Sequence, residues 1–566
     1  MKSTRCFSFL SLAATLLIAA FSAFAQVPRL EFNRPQTFDV QHYIIRASFD
    51  RAKKNVFGDT TVSLKPLKAD FSVVELDAVD LAFESIKLDP SGIDLQYKAS
   101  AGKVVIDLDR TYSPNELISI RFKYRASPKK GVYFVDAGTN PERAHSAQIW
   151  TQGEAEEARH WFPSFDFPSD KATTEQYLTV EKGETVIGNG EFVGKSEDSG
   201  GTETWHYRMP VPHSTYLVSF IIGKYVKVED KYKDIPLGFY VYPGKEATAR
   251  KAFGDTAKMI GVFEELTGVA YPFNKYDQTI VARFQFGGME NITATTMADT
   301  EIFFADFDFG KSMVTDLVSH ELAHSWFGNL LTCRNWAELW LNEGFATFME
   351  AAYRERVFGR EDYMRKIKSD AVEFLVDDSI NRKRHGLYNL RAKDVDALFD
   401  NSSVTYHKGG AVIHMLREQV GNEVFWKAIN IYLNRHKFGS VESSDLKKVM
   451  EEASGQDLTW FFDQWVYHSG APQLTVKQTY KASSKQLTLT IKQTQTADAI
   501  TPGVFRLPME ISVKTATSET KQNLLINKRI QSFSIKTSGK PTALGVDQDE
   551  KIPLKRVKVL GLSTIK

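Results

Sequence analysis

The chain has 566 residues, of which 25% are charged and 42% hydrophobic, and its formal net charge is +1 at pH 7. This length is sufficient for several domains, each with its own core. The near-neutral charge and the lack of a basic tail argue against a nucleic-acid-binding protein and against a polybasic membrane-binding segment.

The first residues have the pattern of a secretory signal peptide. Lys2 and Arg5 give a positive start, a mostly apolar run follows over 7–21, and a small-x-small triplet ends at Ala25. The apolar run is short for a membrane span, so we favour cleavage over a membrane anchor. We therefore expect residues 1–25 to be removed and the mature chain to be exported, either to the periplasm or out of the cell.

The cysteine count fits a fold without disulfides. Cys6 belongs to the predicted signal peptide, which leaves Cys333 as the only cysteine of the mature chain. No internal disulfide is then available, although the destination is oxidising, and stability must come from core burial. Cleavage also removes two positive charges and no negative ones, so the mature formal net charge becomes −1.

From about residue 30 to about 225 the hydrophobic pattern has mostly a period of two. Tyr43, Ile45 and Ala47, for example, alternate with mostly polar neighbours. Such runs, punctuated by turn residues, are typical of half-buried strands. The pattern predicts an N-terminal β domain over residues 26–228.

From about residue 229 the pattern changes to helical periods. Apolar residues then recur near every 3.6 positions, which is typical of amphipathic helices. The pattern predicts a mainly helical domain over residues 229–468. Its clearest helical segments are 253–267, 311–327, 340–357 and 406–420.

Short alternating runs return over residues 469–566. Leu487, Leu489 and Ile491 form one of them. A segment of this length made of short strands predicts a small β-sandwich. The predicted fold class is therefore multidomain α+β, with a β domain first, a helical domain second and a small β domain last.

The helical zone contains the strongest chemical signal, the run His320-Glu321-Leu322-Ala323-His324. Positions i and i+4 share one face of a helix, so His320 and His324 can both aim an imidazole nitrogen at one ion. Glu343 follows His324 after 18 intervening residues, in a second predicted helix. Three protein ligands with a fourth position open are typical of a catalytic zinc site. We expect one zinc per chain, with Glu321 beside it.

These residues, and three further segments, resemble the zinc aminopeptidase N family, which also contains leukotriene hydrolase-type bifunctional enzymes. Residues 287–291 read Gly-Gly-Met-Glu-Asn and match the family's exopeptidase motif. Residues 151–156 and 163–168 look like the substrate-side segment of its first domain, and 406–410 like the segment that carries its catalytic tyrosine. The resemblance covers essentially the whole predicted mature chain in domain order.

The resemblance implies an aminopeptidase that acts on peptides with a free N-terminus. Glu290 is the first candidate to bind the substrate ammonium and Glu154 the second, because carboxylates form charge-assisted hydrogen bonds with ammonium groups. Gly287 and Gly288 would let an extended substrate approach the main chain closely. Taken alone, the glycines could be an ordinary turn and Glu290 a solvated charge. The implied substrate-binding residues are Gln152, Glu154, Gly287, Gly288, Met289 and Glu290.

Two residues receive catalytic roles. Glu321 is the expected base, taking a proton from water and passing it to the leaving amine. The resemblance assigns to Tyr406 the hydrogen bond that stabilises the oxyanion. Glu350 lies two helical turns after Glu343, and two interpretations stay open for it: a partner of a ligating histidine, or an exposed helix charge.

The resemblance also implies a saddle-like N-terminal sheet and a thermolysin-like catalytic domain, and the chain departs from the family in two respects. The aspartate that serves the leukotriene branch aligns with Leu398, which argues against epoxide hydrolysis. Many members also carry a long helical domain after the sandwich that covers the active site, and this sequence ends with the sandwich. The site would then be more open than usual, or covered by a partner chain in a homodimer.

Two other functions compete with the aminopeptidase. A thermolysin-type endopeptidase would use the same zinc chemistry, but it should lack an ammonium anchor, and residues 287–291 speak against it. A non-enzymatic secreted peptide-binding scaffold should have lost a zinc ligand or Glu321, and none is lost.

Phe286, just before the glycines, would weakly favour substrates whose first residue is apolar or aromatic.

Overall fold

A computed structural model of the protein describes residues 30–140, 144–198, 200–381 and 383–565. The predicted signal peptide at residues 1–25 lies outside the described residues. None of the helices in the described ranges combines the length and the apolar character needed to cross a membrane.

The regular secondary structure of the N-terminal region is almost entirely strand, as its alternating pattern predicted. Tyr43, Ile45 and Ala47 are buried, whereas the positions between them are partly exposed. Two short 3₁₀ turns, Ala158–His160 and Thr215–Leu217, interrupt the strands. The strands are β1 Phe38–Asp50, β2 Asn55–Pro66, β3 Phe71–Asp77, β4 Leu81–Asp89, β5 Gln96–Ser100, β6 Lys103–Tyr112, β7 Ile118–Ala126, β8 Val132–Val135, β9 Gln148–Thr151, β10 Ala172–Glu181, β11 Thr185–Gly188, β12 Glu191–Glu197, β13 Thr202–His213 and β14 Phe220–Gly223.

These strands form three sheets. A seven-stranded sheet has the order β12-β13-β10-β1-β2-β7-β4, and its central pair β1 and β10 is parallel. A four-stranded sheet has the order β11-β14-β9-β8 and a three-stranded sheet the order β3-β6-β5. The four-stranded sheet contains β9, which leads directly into residues 151–156, so this sheet sets the position of Gln152 and Glu154.

The second region, which contains most of the helices, begins with a sheet that the helical periodicity did not predict. Five strands in the order β15-β16-β17-β19-β18 precede and flank the first helices. The predicted boundary at residues 228 and 229 falls inside β15. The strands of this region are β15 Val226–Tyr232, β16 Ile235–Val241, β17 Tyr276–Val281, β18 Gly288–Met289, β19 Ala294–Ala298, β20 Thr332–Cys333 and β21 Ser440–Val441.

Ten helices follow or interleave with these strands in the described residues. Most of their length lies in the zone that the helical periods marked, and π-helical turns at Val404–Lys408 and Asp463–Tyr467 interrupt the regular geometry. The helices are α1 Glu246–Phe253, α2 Thr256–Thr267, α3 Asp299–Ile302, α4 Lys311–Ala323, α5 Trp340–Phe358, α6 Arg360–Ile380, α7 Gly409–Val420, α8 Asn422–His436, α9 Ser443–Ser454 and α10 Thr459–Phe462. Short 3₁₀ turns in this region occupy Phe303–Asp306, Asp308–Gly310, Trp336–Glu338 and Asp396–Leu398.

Two predicted helix boundaries differ from the observed ones. The segment predicted over 253–267 is broken at Gly254, because glycine is a poor helix former and a common helix end. The segment predicted over 311–327 is regular only to Ala323. Beyond it the chain tightens, with the amide of Trp326 donating to the carbonyl of Ala323, and then turns at Gly328, whose φ is +135°.

The C-terminal region returns to strands. A four-stranded sheet has the order β26-β23-β22-β28 and a three-stranded sheet the order β25-β24-β27. Buried side chains from both sheets belong to the same hydrophobic cluster as the helical region. The strands are β22 Gln473–Lys481, β23 Gln486–Gln493, β24 Leu507–Thr515, β25 Glu519–Ile526, β26 Ile530–Lys536, β27 Pro541–Val546 and β28 Arg556–Ile565.

Candidate active site

Helices α4 and α5 bring the three predicted metal ligands together. Oε2 of Glu343, in the first turn of α5, lies 3.1 Å from Nε2 of His320 and 3.4 Å from Nε2 of His324. One ligand atom from each residue lies within 4.8 Å of the other two. Two imidazoles and one carboxylate that converge in this way suit a zinc ion with an open fourth position.

The far side of each imidazole has an acceptor that fixes its orientation. Nδ1 of His320 lies 2.8 Å from Oε1 of Glu350, and Nδ1 of His324 lies 2.9 Å from the carbonyl oxygen of Phe327. Since Nδ1 donates to these acceptors, Nε2 is left free to bind an ion. Glu350 is therefore a partner of His320, one of the two interpretations that the sequence left open.

Tyr406 lies on the π-helical turn that packs against α5. A Cβ atom added to Gly344, next to Glu343, would lie only 3.0 Å from Cα of Gly409. This backbone-to-backbone contact holds the turn close to the metal ligands. The ring of Tyr406 consequently stacks on that of His320 with the ring centres 5.8 Å apart.

The predicted site residues share one cavity of about 530 Å³. A volume of this size is typical of pockets for small ligands or peptide segments. The lining residues come from the N-terminal β region, from the segment before β19, and from α4 to the π-helical turn. They are Gln152, Glu154, Phe286, Gly287, Gly288, Met289, Glu290, Leu317, His320, Glu321, His324, Glu343, Thr347, Glu350, Lys366, Phe399, Ser402, Tyr406 and His407.

Besides Glu343 and Glu350, three further carboxylates line the cavity. Oε1 of Glu290 lies 4.0 Å from Nδ1 of His324. Oε1 of Glu154 and Oε2 of Glu321 are buried and have no hydrogen-bond partner among the described residues. Buried polar atoms are usually paired, so these oxygens are arranged for a ligand rather than for the fold.

The electrostatics of the cavity favour a cation. Burial and the nearby Glu290 carboxylate raise the pKa of Glu154 well above its usual value, and burial raises that of Glu321 to about 8. Burial also raises the pKa of Glu343, but the imidazoles of His324 and His320 outweigh it and hold that pKa at about 2. A positive charge placed among these carboxylates would relieve their mutual repulsion.

The glycine pair lies against the face of α4 that carries Glu321. A Cβ atom on Gly288 would collide with the Glu321 carboxylate, and one on Gly287 would come within 3.1 Å of Leu317. Gly288 and Met289 form β18, the last strand in the order of its sheet. An extended peptide could therefore lie beside this edge and close to Glu321 at the same time.

Gln152 and Met289, which both line the cavity, contact each other. Nε2 of Gln152 lies 3.2 Å from Sδ of Met289, and its Oε1 atom has no hydrogen-bond partner in the described part of the chain. Phe286 lies nearby with 42% of its surface exposed, and its ring centre is 6.0 Å from that of Phe399. Gln152, just after β9, and the segment 286–289 thus form one wall of the cavity.

Sequence reasoning missed Tyr216, a residue of the N-terminal region. Its buried hydroxyl lies 3.4 Å from Oε1 of Glu290 and 3.3 Å from the carbonyl oxygen of Gly328, and Nδ2 of Asn342 donates to it over 3.3 Å. Nothing in the local pattern distinguishes Tyr216 from the other tyrosines, because its contacts come from three distant segments. Residues 163–168 do not line the cavity.

Other contacts fix the two regions to each other near Glu290. Asn189 donates from Nδ2 to the carbonyl oxygen of Ile292 over 2.8 Å, and the amide of Gly190 donates to Oγ1 of Thr293 over 2.7 Å. Lys171, also from the N-terminal region, donates to the carbonyl oxygen of Asn329 over 3.1 Å. The loops on both sides of the His324–Glu290 contact are thereby anchored.

Comparisons with known proteins match both regions. The profile of the family described as Peptidase M1 N-terminal domain matches residues 39–217. The profile described as Peptidase family M1 domain matches residues 251–465, which include all three candidate ligands.

The curated relatives that the chain matches are named as aminopeptidases. Probable aminopeptidase 1 of Saccharolobus solfataricus is 31% identical over 433 residues, which cover 75% of this chain and 53% of that protein. Aminopeptidase N of Streptomyces lividans is 34% identical over 345 residues, or 57% of this chain and 38% of that protein. The puromycin-sensitive aminopeptidase of Caenorhabditis elegans is 27% identical over 536 residues, or 89% and 55%. The chain thus spans about half the length of the curated relatives it matches.

Proposed function

This chain belongs to peptidase family M1, and on that basis we propose that it is a zinc aminopeptidase that removes N-terminal amino acids from peptides. One observation carries the proposal. Besides the three candidate metal ligands, Glu321 and Glu350, the cavity holds two more buried carboxylates, Glu154 and Glu290. A metal centre alone fits many hydrolases, whereas a metal centre beside an anionic recess fits a substrate that presents a cation next to the bond to be cut.

His320, His324 and Glu343 would hold the zinc ion. The set of two imidazoles and one carboxylate is a known catalytic zinc environment, and Glu350 orients one imidazole. When bound, zinc would polarise the scissile carbonyl and lower the pKa of a water molecule.

Glu321 would serve as the base and would not bind the metal. Its buried carboxylate lines the cavity one residue after His320, and its Oε2 atom has no hydrogen-bond partner among the described residues. It would accept a proton from water and deliver it to the nitrogen of the leaving amine. Tyr406 would donate from its hydroxyl to the oxyanion that forms on the attacked carbonyl.

Glu290 and Glu154 would bind the substrate ammonium. Both are buried and line the cavity that holds the candidate metal ligands, and Oε1 of Glu290 lies 4.0 Å from Nδ1 of His324. Downstream residues would lie along Gly287 and Gly288, with main-chain hydrogen bonds to the edge strand β18. The register would then be that of an exopeptidase.

The test is a panel of amino-acid arylamides and matched N-acetylated compounds, assayed with and without a chelator. We expect hydrolysis of the free-amine substrates, loss of activity with the chelator, recovery with zinc, and very slow hydrolysis of the acetylated compounds. Equal cleavage of acetylated and free peptides would establish the endopeptidase alternative. Binding of peptides without any hydrolysis in the presence of zinc would establish the scaffold alternative.

Two finer points are also proposals. We propose that the two C-terminal sheets pack as a small β-sandwich, because buried residues such as Leu489 and Ile511 alternate along their strands. We propose export on the strength of the signal pattern at residues 1–25, which N-terminal sequencing of the protein from its native cells would check.

A further inference from the structure

Three contacts show that the segment 287–290 runs parallel to α4, so a peptide antiparallel to this segment runs toward the N-terminus of α4. Glu290 lies beside His324, Gly288 beside Glu321, and Gly287 beside Leu317. From Glu290, the proposed ammonium-binding residue, toward the N-terminus of α4, the order is therefore Glu290, then the proposed base Glu321, then Leu317. A peptide held by its N-terminus at Glu290 must extend in this direction after the bond to be cut.

The same face of α4 continues outward as an exposed apolar surface. Met313 lies one turn before Leu317 on that face and is 52% exposed, and Phe309 and Phe307, just before the helix, are 69% and 54% exposed. The two phenylalanine rings stack with their centres 5.5 Å apart. We call Phe307, Phe309 and Met313 the outer apolar patch.

Charge around the outer apolar patch is balanced. Lys311 and Asp308, which alternate with its members along the chain, pair with each other at 2.7 Å. The patch therefore carries no net charge that would favour an acidic or a basic ligand. Exposed aromatic and methionine side chains that adjoin one another are typical of surfaces that bind apolar groups.

We propose that the outer apolar patch is a binding site for an apolar side chain of the peptide substrate, three to five residues after the scissile bond. The proposal rests on the proposed aminopeptidase function, because that function sets where the substrate begins and in which direction it runs. Leu317 lines the catalytic cavity, and Met313 lies one helical turn before it on α4, so the patch adjoins that cavity. This adjacency favours a substrate segment over a second copy of the chain.

The distances agree with that position. Eight residues of helix separate Glu321 from Met313, or about 12 Å, and Phe309 lies about 6 Å further along. An extended peptide advances about 3.3 Å per residue, so about four residues reach Met313 and about five reach the phenylalanines. Partial burial of one leucine side chain there should raise the specificity constant roughly three- to tenfold.

The test uses octapeptides that begin with leucine, contain alanine elsewhere, end in lysine for solubility, and carry one additional leucine at each of positions 2 to 7. The initial rate of release of the first leucine gives kcat/KM for every peptide. We expect the highest values with the additional leucine at positions 4 to 6. Phe309→Ser and Met313→Ser should abolish this preference and leave the hydrolysis of leucine arylamide unchanged.

The matched control is Val372→Ser on α6, since Val372 is 58% exposed and does not line the catalytic cavity. This variant should keep the preference. If leucine arylamide is not cleaved by the unmodified protein, the proposed function itself fails. If the arylamide is cleaved but the peptide series is flat, or the preference survives in both patch variants, the substrate site is refuted. A dimer that Phe309→Ser converts to a monomer, without a change in peptide preference, would assign the patch to a second copy instead.

Discussion

Nδ1 of His320 lies 2.8 Å from Oε1 of Glu350, whose other oxygen lies 2.8 Å from Nζ of Lys366. Lys366 also contacts Asp370 at 2.7 Å, so a buried charged chain extends from a metal ligand into α6. The imidazole is thereby fixed from the side opposite to the metal.

Glu350→Ala should weaken zinc binding by about 10- to 100-fold, because the orientation of His320 would no longer be fixed. Competition with a chromogenic chelator measures the affinity. The control is Glu361→Ala on the neighbouring helix, where the side chain is 95% exposed, and this variant should bind zinc normally. An unchanged affinity in Glu350→Ala would show that the contact does not support the metal.

Glu321→Gln should retain zinc and lose turnover by about a hundredfold or more, since the amide cannot accept the proton of the water. The zinc content of the purified variant and kcat on leucine arylamide are the two measurements. If the variant lost zinc as well, Glu321 would be a ligand. If it kept near-normal kcat, another group would be the base.

Tyr406→Phe should lower kcat by about a hundredfold and change KM little, because the hydroxyl would act on the oxyanion and not on the bound substrate. Zinc content should stay normal, since Tyr406 only stacks on His320 and the phenyl ring preserves that contact. A rise in KM with kcat preserved would instead give Tyr406 a role in substrate binding.

Tyr216→Phe should raise KM about three- to tenfold with little loss of kcat, because Glu290 would lose the neutral donor that contacts its Oε1 atom. Glu290→Ala should raise KM further, since it would remove the carboxylate itself. Both variants should keep zinc. If Tyr216→Phe changed thermal stability but not KM, the hydroxyl would serve only the fold through Gly328 and Asn342.

Sequence spacing alone predicted that the two histidine ligands would lie close together. An i, i+4 pair lies on one face of a helix whatever the fold, so His320 and His324 required no tertiary information. The alternating pattern likewise predicted the N-terminal β region. Successive side chains of a strand point to opposite faces of the sheet, so a half-buried strand must alternate apolar and polar residues.

Contacts between distant segments could not be predicted in this way. Tyr216, Lys366 and the Gly344–Gly409 contact depend on how α5, α6 and the N-terminal region pack, and no short window of sequence records that packing. The five-stranded sheet before α4 was missed because β17 is fully buried and β16 buries three consecutive residues, so neither shows the alternation that marks a half-exposed strand.

The hydrogen bonds from Asn189 and Gly190 to the loop after Glu290 have a consequence for the evolution of this protein. Gln152, Glu154 and Tyr216 come from the first region and the metal ligands from the second, so the active site exists only at their junction. Recombination with a relative at this boundary would separate residues that must change together, even when each half still folds. The two regions should therefore be inherited as a pair, and chimaeras joined near residue 225 should fold more often than they cut peptides.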